Sequence, residues 1–196
     1  FFKLYRRSHT AFAGALGSGV VMGGFWGLGA IYVLSQTNDP SFVPMFIAAN
    51  IIGGALAQYP VGMASDRIDR RYVLAALCAA SGLSAFGLLM AETRDALLLG
   101  AFAFGAFANS LYAVSLAKAA DNSKSEEFVT IGSSVLLLNA LGSASSALVI
   151  GWAMRSLGDS ALFSFLGVTS LITGVFIILQ PPGRTAVTIE EQGTFM

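Results

Sequence analysis

Acidic and basic side chains alternate at short, fixed spacing in one stretch of the chain, Gly62-Met63-Ala64-Ser65-Asp66-Arg67-Ile68-Asp69-Arg70-Arg71. A carboxylate at Asp66 can cap, or face, the positive N-terminal end of a helix arriving from elsewhere, an interaction of about 0.3 to 1 kcal/mol at a surface. Gly62 lies one helical turn earlier and removes a side chain where such a helix has to approach. Arg67, Arg70 and Arg71 can share Asp66 or Asp69 and hold the segment at an anionic lipid surface. This is the chemistry of contact between elements and with lipid headgroups. A generic cationic hairpin is the plainer alternative, and the two acids interleaved among the arginines speak against it.

A second set of residues is polar without charge: Trp26, Tyr32, Asn50, Gln58, Asn109, Tyr112 and Asn139, each inside an apolar stretch. An amide facing lipid is costly, so these side chains point to a protein interior or a cavity. Asn109 and Tyr112 are three apart, hence on one helix face, and make the best candidate pair for a solute contact. Each asparagine could instead bond a neighbouring helix, and Trp26 could simply fill volume. Cys78, the single cysteine, excludes an internal disulfide and a cysteine-based metal cluster, and reads as packing; His9 is a lone interfacial histidine. With no histidine cluster, acid pair or phosphate loop at depth, neither catalysis, metal nor cofactor is expected.

The elements that must position these residues follow from composition. The 196 residues are 55% hydrophobic and 11% charged, with 22 glycines, against about 25% charged in soluble domains. Mean hydropathy is +0.72, an apolar surplus that a single core of this size cannot bury, so the solvent for it is a lipid bilayer. Eleven basic against eleven acidic residues leave no excess for nucleic acid. A span needs about 20 apolar residues, and six such runs occur, at residues 11–34, 41–63, 72–90, 96–117, 128–154 and 161–179. Thr37-Asn38-Asp39-Pro40, Glu92-Thr93-Arg94-Asp95, Gly158-Asp159-Ser160 and Pro181-Pro182 punctuate them. Runs such as Phe176-Ile177-Ile178-Leu179 do not alternate in polarity, which excludes barrel strands.

No Asp, Glu, Lys, Arg or His falls inside these six runs, so any proton-carrying group is expected outside this chain, and a neutral, amphipathic or hydrophobic solute is favoured over a charged one. With the N-terminus inside, Lys3, Arg6, Arg7, Arg67, Arg70, Arg71, Lys118, Lys124 and Arg184 are cytoplasmic and only Arg94 and Arg155 are not, which places both termini in the cytoplasm. Gly19, Gly23 and Gly27 stand at steps of four on one face. Close static packing is one reading of that string, and a helix that bends or rocks is the one favoured. Because the chain opens Phe1-Phe2-Lys3, residue 1 is expected to be an internal cut in a longer protein.

The charged stretch fits the G-x-x-x-D-[RK]-x-[GD]-[RK]-[RK] loop of the major facilitator superfamily at all six constrained positions, between the second and third spans, where that family carries it. Gly53-Gly54-Ala55 before Gln58-Tyr59-Pro60, Asn109-Ser110-Leu111-Tyr112, and Glu126-Glu127-Phe128 extend the resemblance to the YcaD-type bacterial branch. The resemblance implies an all-α integral membrane six-helix bundle, the C-terminal half of a twelve-helix fold, with a 3+3 inverted repeat. On that basis residues 1–9 are a cytoplasmic lead-in, 10–180 the half-transporter domain and 181–196 a cytoplasmic tail. Residues 62–71 become a latch between two halves that gates the cytoplasmic side. Spans 1, 2, 4 and 5 line the cavity, in agreement with Trp26, Gln58, Asn109, Tyr112 and Asn139 falling there and nothing more polar than Ser, Thr or Cys in spans 3 and 6. The partners implied are the N-terminal six-helix half, the bilayer of a bacterial inner membrane and a small-molecule solute. The alternative, a facilitator-derived subunit or assembly factor without transport, would bind another membrane protein instead.

Overall fold

The computed structural model describes residues 8–121 and 128–180. Among them run six helices and no strand: α1 (His9–Thr37), α2 (Val43–Arg67), α3 (Arg70–Leu89), α4 (Arg94–Asp121), α5 (Phe128–Leu157) and α6 (Ala161–Leu179). Each is long and apolar enough to cross a membrane. They coincide with the six expected spans, with two informative extensions. Helix α1 starts at His9, inside the expected lead-in, because Ser8 caps it by accepting from the Ala11 N–H at 3.1 Å. Helix α4 continues a turn past residue 117 and carries Lys118 and Asp121 on regular helix. Lys3, Arg6, Arg7, Lys124, Glu126, Glu127, Arg184 and the tail 181–196 lie outside the described residues.

The turns obey the local chemistry of their residues. Asn38 ends α1 in the left-handed region at φ 50° and donates its N–H to the Leu34 carbonyl at 2.8 Å. Gly158, at φ 91°, turns the chain between α5 and α6. Pro60 sits inside α2 and has no N–H for the carbonyl one turn earlier.

Helix packing follows an internal two-fold. The most extensive contacts are α2 with α4 and α1 with α5, then α3 with α6, α3 with α4, and α1 with both α4 and α6. Exchanging α1 with α4, α2 with α5 and α3 with α6 maps this set onto itself. The glycines make the relation atomic. A methyl group on Gly105 would lie 2.0 Å from the Asn50 carbonyl oxygen, and one on Gly19 would lie 2.1 Å from that of Asn139. Reciprocally, Gly53 abuts the Phe102 carbonyl (2.0 Å) and Gly142 that of Leu16 (2.6 Å). Asn50 Nδ2 donates to the Ala101 carbonyl and Asn139 Nδ2 to that of Ala15, both at 3.4 Å. In sequence this is Asn-x-x-Gly at 50–53 and 139–142, crossing Ala-x-x-x-Gly at 101–105 and 15–19. Gly82 and Gly167 cross each other on α3 and α6 in the same reciprocal way, at 3.2 and 3.3 Å.

These contacts correct one expectation. Gly19 and Gly23 are spent on fixed close approach to α5, with the Ser143 backbone 2.3 Å from where a Gly23 methyl would be, and only Gly27 is relaxed, at 3.5 Å from Ala147. The glycine string is static packing within the bundle. Helices α1 and α4 form the centre, with 56% and 50% of their most apolar windows buried, against 22% and 28% for α2 and α5. The bundle is plugged at the end away from residues 62–71 by Phe25, Phe46, Phe104 and Phe163, all fully buried. Tyr32 meets Phe163 edge-on at 4.7 Å and donates its hydroxyl to the Leu88 carbonyl at 3.1 Å.

Candidate functional site

The turn between α2 and α3 is held by its own charges. Asp69 is the N-cap of α3 and accepts from the Arg71 N–H at 2.9 Å. Its Oδ1 also receives Lys118 Nζ from α4 at 2.9 Å, with 4% of the lysine side chain exposed. Burial by itself pushes the Asp69 carboxyl up, but the Arg71 N–H, the Lys118 ammonium bonded to it and the Arg71 charge together hold it below the ordinary aspartate range. Arg70 donates to Asp121 and, at 3.1 Å, to the Ala117 carbonyl, and its other terminal nitrogen reaches Asp66 at 3.2 Å. The turn is thereby pinned to the end of α4 at two points.

Arg71 departs from expectation. It is buried, donating Nε to the Ile177 carbonyl at 3.1 Å and Nη2 to that of Ile178. A guanidinium at a helix C-terminus meets both the free carbonyls and the negative end of the dipole, so Arg71 closes α6 and is neither at the lipid surface nor shared with Asp66. Arg67 is exposed and forms no ion pair among the described residues. The two residues expected to receive an outside helix are open: nothing lies within 4 Å of a methyl placed on Gly62, and the Asp66 side chain is 71% exposed.

The opposite end has a smaller clasp. Arg94, at the start of α4, pairs with Asp39 at 3.0 Å and lies over the Phe42 ring at 5.4 Å from its centroid. The Ser41 hydroxyl and N–H donate to the same Asp39 carboxylate, which these bonds, together with Arg94, hold below its ordinary range.

The polar residues of the spans divide into two groups. The asparagines are turned into helix crossings. Asn109 Nδ2 donates to the main-chain and side-chain oxygens of Asn50, both at 3.3 Å, in space that Gly54 leaves vacant. Asn139 donates to Ser18 Oγ at 3.0 Å besides Ala15. Asn109 and Tyr112 share α4 but serve different neighbours, since Tyr112 packs on the cluster of Ala11, Ala15, Ile131 and Val135 from α1 and α5. Trp26 stays half exposed, edge-on to Phe25 at 5.6 Å, and Gln58 is exposed beside Tyr59. Of the five cavity candidates, Trp26 and Gln58 are therefore open, Tyr112 is half-buried, and Asn109 and Asn139 are engaged. No group of metal-ligating side chains forms among the described residues.

Sequence reasoning put Lys118 on the same side as the charged turn but missed its pairing with Asp69 and that of Asp121 with Arg70, although a spacing of three places Lys118 and Asp121 on one face of α4. It also missed the paired Asn-x-x-Gly segments, whose signal was present in the chain.

A family profile described as the Major Facilitator Superfamily matches residues 11–194. The chain is 26% identical over 180 residues to the uncharacterized MFS-type transporter YcaD of Salmonella arizonae, and to the same degree to the YcaD proteins of Salmonella newport and Salmonella dublin. The alignment takes in 92% of this chain and 46% of each relative, so the chain spans about half the length of the curated relatives it matches.

Proposed function

Since the chain belongs to the major facilitator superfamily, we propose that it is the C-terminal six-helix half of a secondary transporter. In this reading it moves a small neutral or amphipathic solute by alternating access, rocking against a second six-helix half around a site near the midplane. Six membrane-length helices in a member of this superfamily make this an integral membrane protein, and its transporter relatives support a transport role.

One observation carries the finer reading. Asp69, Arg70 and Arg71 bolt the α2–α3 turn to α4 and α6, while Gly62 and Asp66 on the same turn face outward with room to spare. A rigid mount that presents an open glycine and a carboxylate is suited to receive and release the positive end of a partner helix. The turn then acts as the cytoplasmic latch, with both termini on the same side of a bacterial inner membrane. The solute class is supported by the placement of ionisable groups, which among the described helices sit within about two turns of the ends and leave the middle of each helix uncharged. Trp26, Gln58 and Tyr112 are the side chains with surface left for a solute.

The test is Asp66→Asn in the complete transporter, with a cysteine reporter on the cavity side of α2. The expected result is a shift in reporter accessibility and in transport with folding preserved. Unchanged accessibility together with unchanged transport would reduce the turn to a topology signal.

A further inference from the structure

At the end of α5 two opposite charges stand close in the chain without meeting. Arg155 is in the last turn of the helix, and Asp159 follows four residues later. On an unbroken helix that spacing would bring the two side chains together. Helix α5 stops at Leu157, however, and Gly158, at φ 91°, turns the chain between them. Neither the Arg155 nor the Asp159 side chain forms an ion pair or hydrogen bond among the described residues. By contrast, Arg70, Arg94 and Lys118 each hold a carboxylate of this chain.

Both unpaired charges line one cavity, between α1 and α5, of about 620 Å³. That volume is in the range of about 300 to 1,000 Å³ usual for small-molecule sites. Arg155, exposed, and Asp159, half-buried, are the only charged residues in its lining. The remaining wall is apolar, chiefly Leu28 and Ile31 of α1 with Leu148 and Trp152 of α5. Leu148 lies two helical turns from Arg155, about 10 Å along the axis. Its neighbour Ala147 faces Gly27, at 3.5 Å from a methyl placed there, so the apolar end of the cavity reaches the level of Trp26.

A cavity with one unpaired charge of each sign selects against simple ions. An anion drawn to Arg155 meets the Asp159 carboxylate, and a cation drawn to Asp159 meets the guanidinium. A ligand that carries both charges satisfies both, and its ammonium is also attracted by the face of an indole such as Trp152. We propose that Arg155, Asp159 and Trp152 form a binding site for an amphipathic zwitterion. Its ammonium meets Asp159, its carboxylate or phosphate meets Arg155, and its apolar body lies along Leu28, Ile31 and Leu148 towards Trp26. This narrows the neutral or amphipathic solute of the transport reading, on which it rests for the ligand's passage and not for its binding. A free zwitterion and the headgroup of an aminophospholipid offer the same chemistry, and the test separates them.

The experiment uses the complete protein in an uncharged maltoside detergent, with Leu148→Cys as its one cysteine and a maleimide as label. The probes are phenylalanine, which carries both charges, and phenethylamine and 3-phenylpropionate, which carry one each on the same ring. Phenylalanine is expected to slow labelling at a concentration about tenfold lower than either single-charge analogue requires. Arg155→Gln should erase that preference in favour of phenethylamine, and Asp159→Asn in favour of 3-phenylpropionate. Protection by added phosphatidylethanolamine, with phosphatidylglycerol and phenylalanine silent, supports the site with a lipid headgroup as its ligand. Equal protection by all three probes, protection by no zwitterion, or a phenylalanine preference that survives both substitutions overturns the proposal. Neither side chain bonds within the chain, and equal thermal unfolding of parent and variants is the check on folding. The transport reading is judged separately, by Asp66→Asn as above. Zwitterion-selective protection with a silent Asp66→Asn keeps the site and drops the latch, and a responsive Asp66→Asn without selectivity does the reverse.

Discussion

Lys118 reaches from α4 to Asp69 at 2.9 Å with 4% of its side chain exposed. An ammonium so placed has no water to fall back on, so removing its carboxylate leaves a buried charge uncompensated. Asp69→Asn is expected to cost about 3 kcal/mol of stability. The pH dependence has a definite sign. The folded-state value of Asp69 lies below the ordinary 3.8, so its contribution is full above about pH 5 and fades as the pH falls below about 4 and through the folded-state value. Thermal unfolding of parent and variant in detergent should show a constant gap from pH 5 to 7 that narrows in acid. A gap that widens in acid would mean that Lys118 draws its stabilisation from elsewhere.

The glycines give a sharper contrast, because chemically identical changes meet different surroundings. Gly105→Ala and Gly19→Ala push a methyl against carbonyl oxygens that cannot retreat without moving a helix. Each should destabilise by about 1 to 3 kcal/mol. Gly62→Ala meets nothing within 4 Å and gains helix propensity, so its unfolding temperature should hold or rise. If the turn acts as the proposed latch, any penalty at Gly62 should appear in transport alone, because nothing within this chain fills the space beside it.

Arg71 supports a third expectation. Its two bonds to Ile177 and Ile178 satisfy the last carbonyls of α6. Arg71→Lys can present one point charge but not the fork, so α6 should fray first. Hydrogen exchange at residues 174–180 is expected to accelerate about tenfold, with α1 to α5 little changed. Uniform acceleration over the whole bundle would show that Arg71 stabilises the turn and not the helix end.

The six helices were legible because apolar runs of membrane length leave the chain few alternatives, and the turns because Asn38, Pro40 and Gly158 have narrow conformational uses. The charged turn was legible as a pattern, but the assignment of each arginine was not. Arg70 and Arg71 are adjacent in sequence, and only the crossing of α3 with α4 and α6 sends one to Asp121 and the other to Ile177. The same limit applies to Asn109, whose helix was legible in the sequence while its neighbour was not. Spacing of three places Asn109 near Tyr112 along α4, yet the gap left by Gly54 draws the amide across to Asn50. Partner choice of this kind is a property of helix register, which no single segment encodes.

That division bears directly on which polar residues serve a solute. Asn139 and Asn50 have their amide nitrogens committed to carbonyls on α1 and α4, so alanine at either should lower stability by about 0.6 to 2 kcal/mol with the solute KM unchanged in the protein that remains folded. Trp26 and Gln58 make no comparable internal bond and face outward from α1 and α2. Trp26→Ala and Gln58→Ala should leave unfolding within about 0.5 kcal/mol of the parent, while loss of one solute contact near 1.4 kcal/mol would raise KM about tenfold. Asn109 is the intermediate case, half-buried and bonded, and its substitution should move both quantities. The two measurements, made on the same five variants in reconstituted vesicles, separate the helix-crossing residues from those proposed to face a solute. If KM follows the asparagines and ignores Trp26 and Gln58, the cavity face lies on the other side of α2 and α5, and the crossings themselves must open during transport.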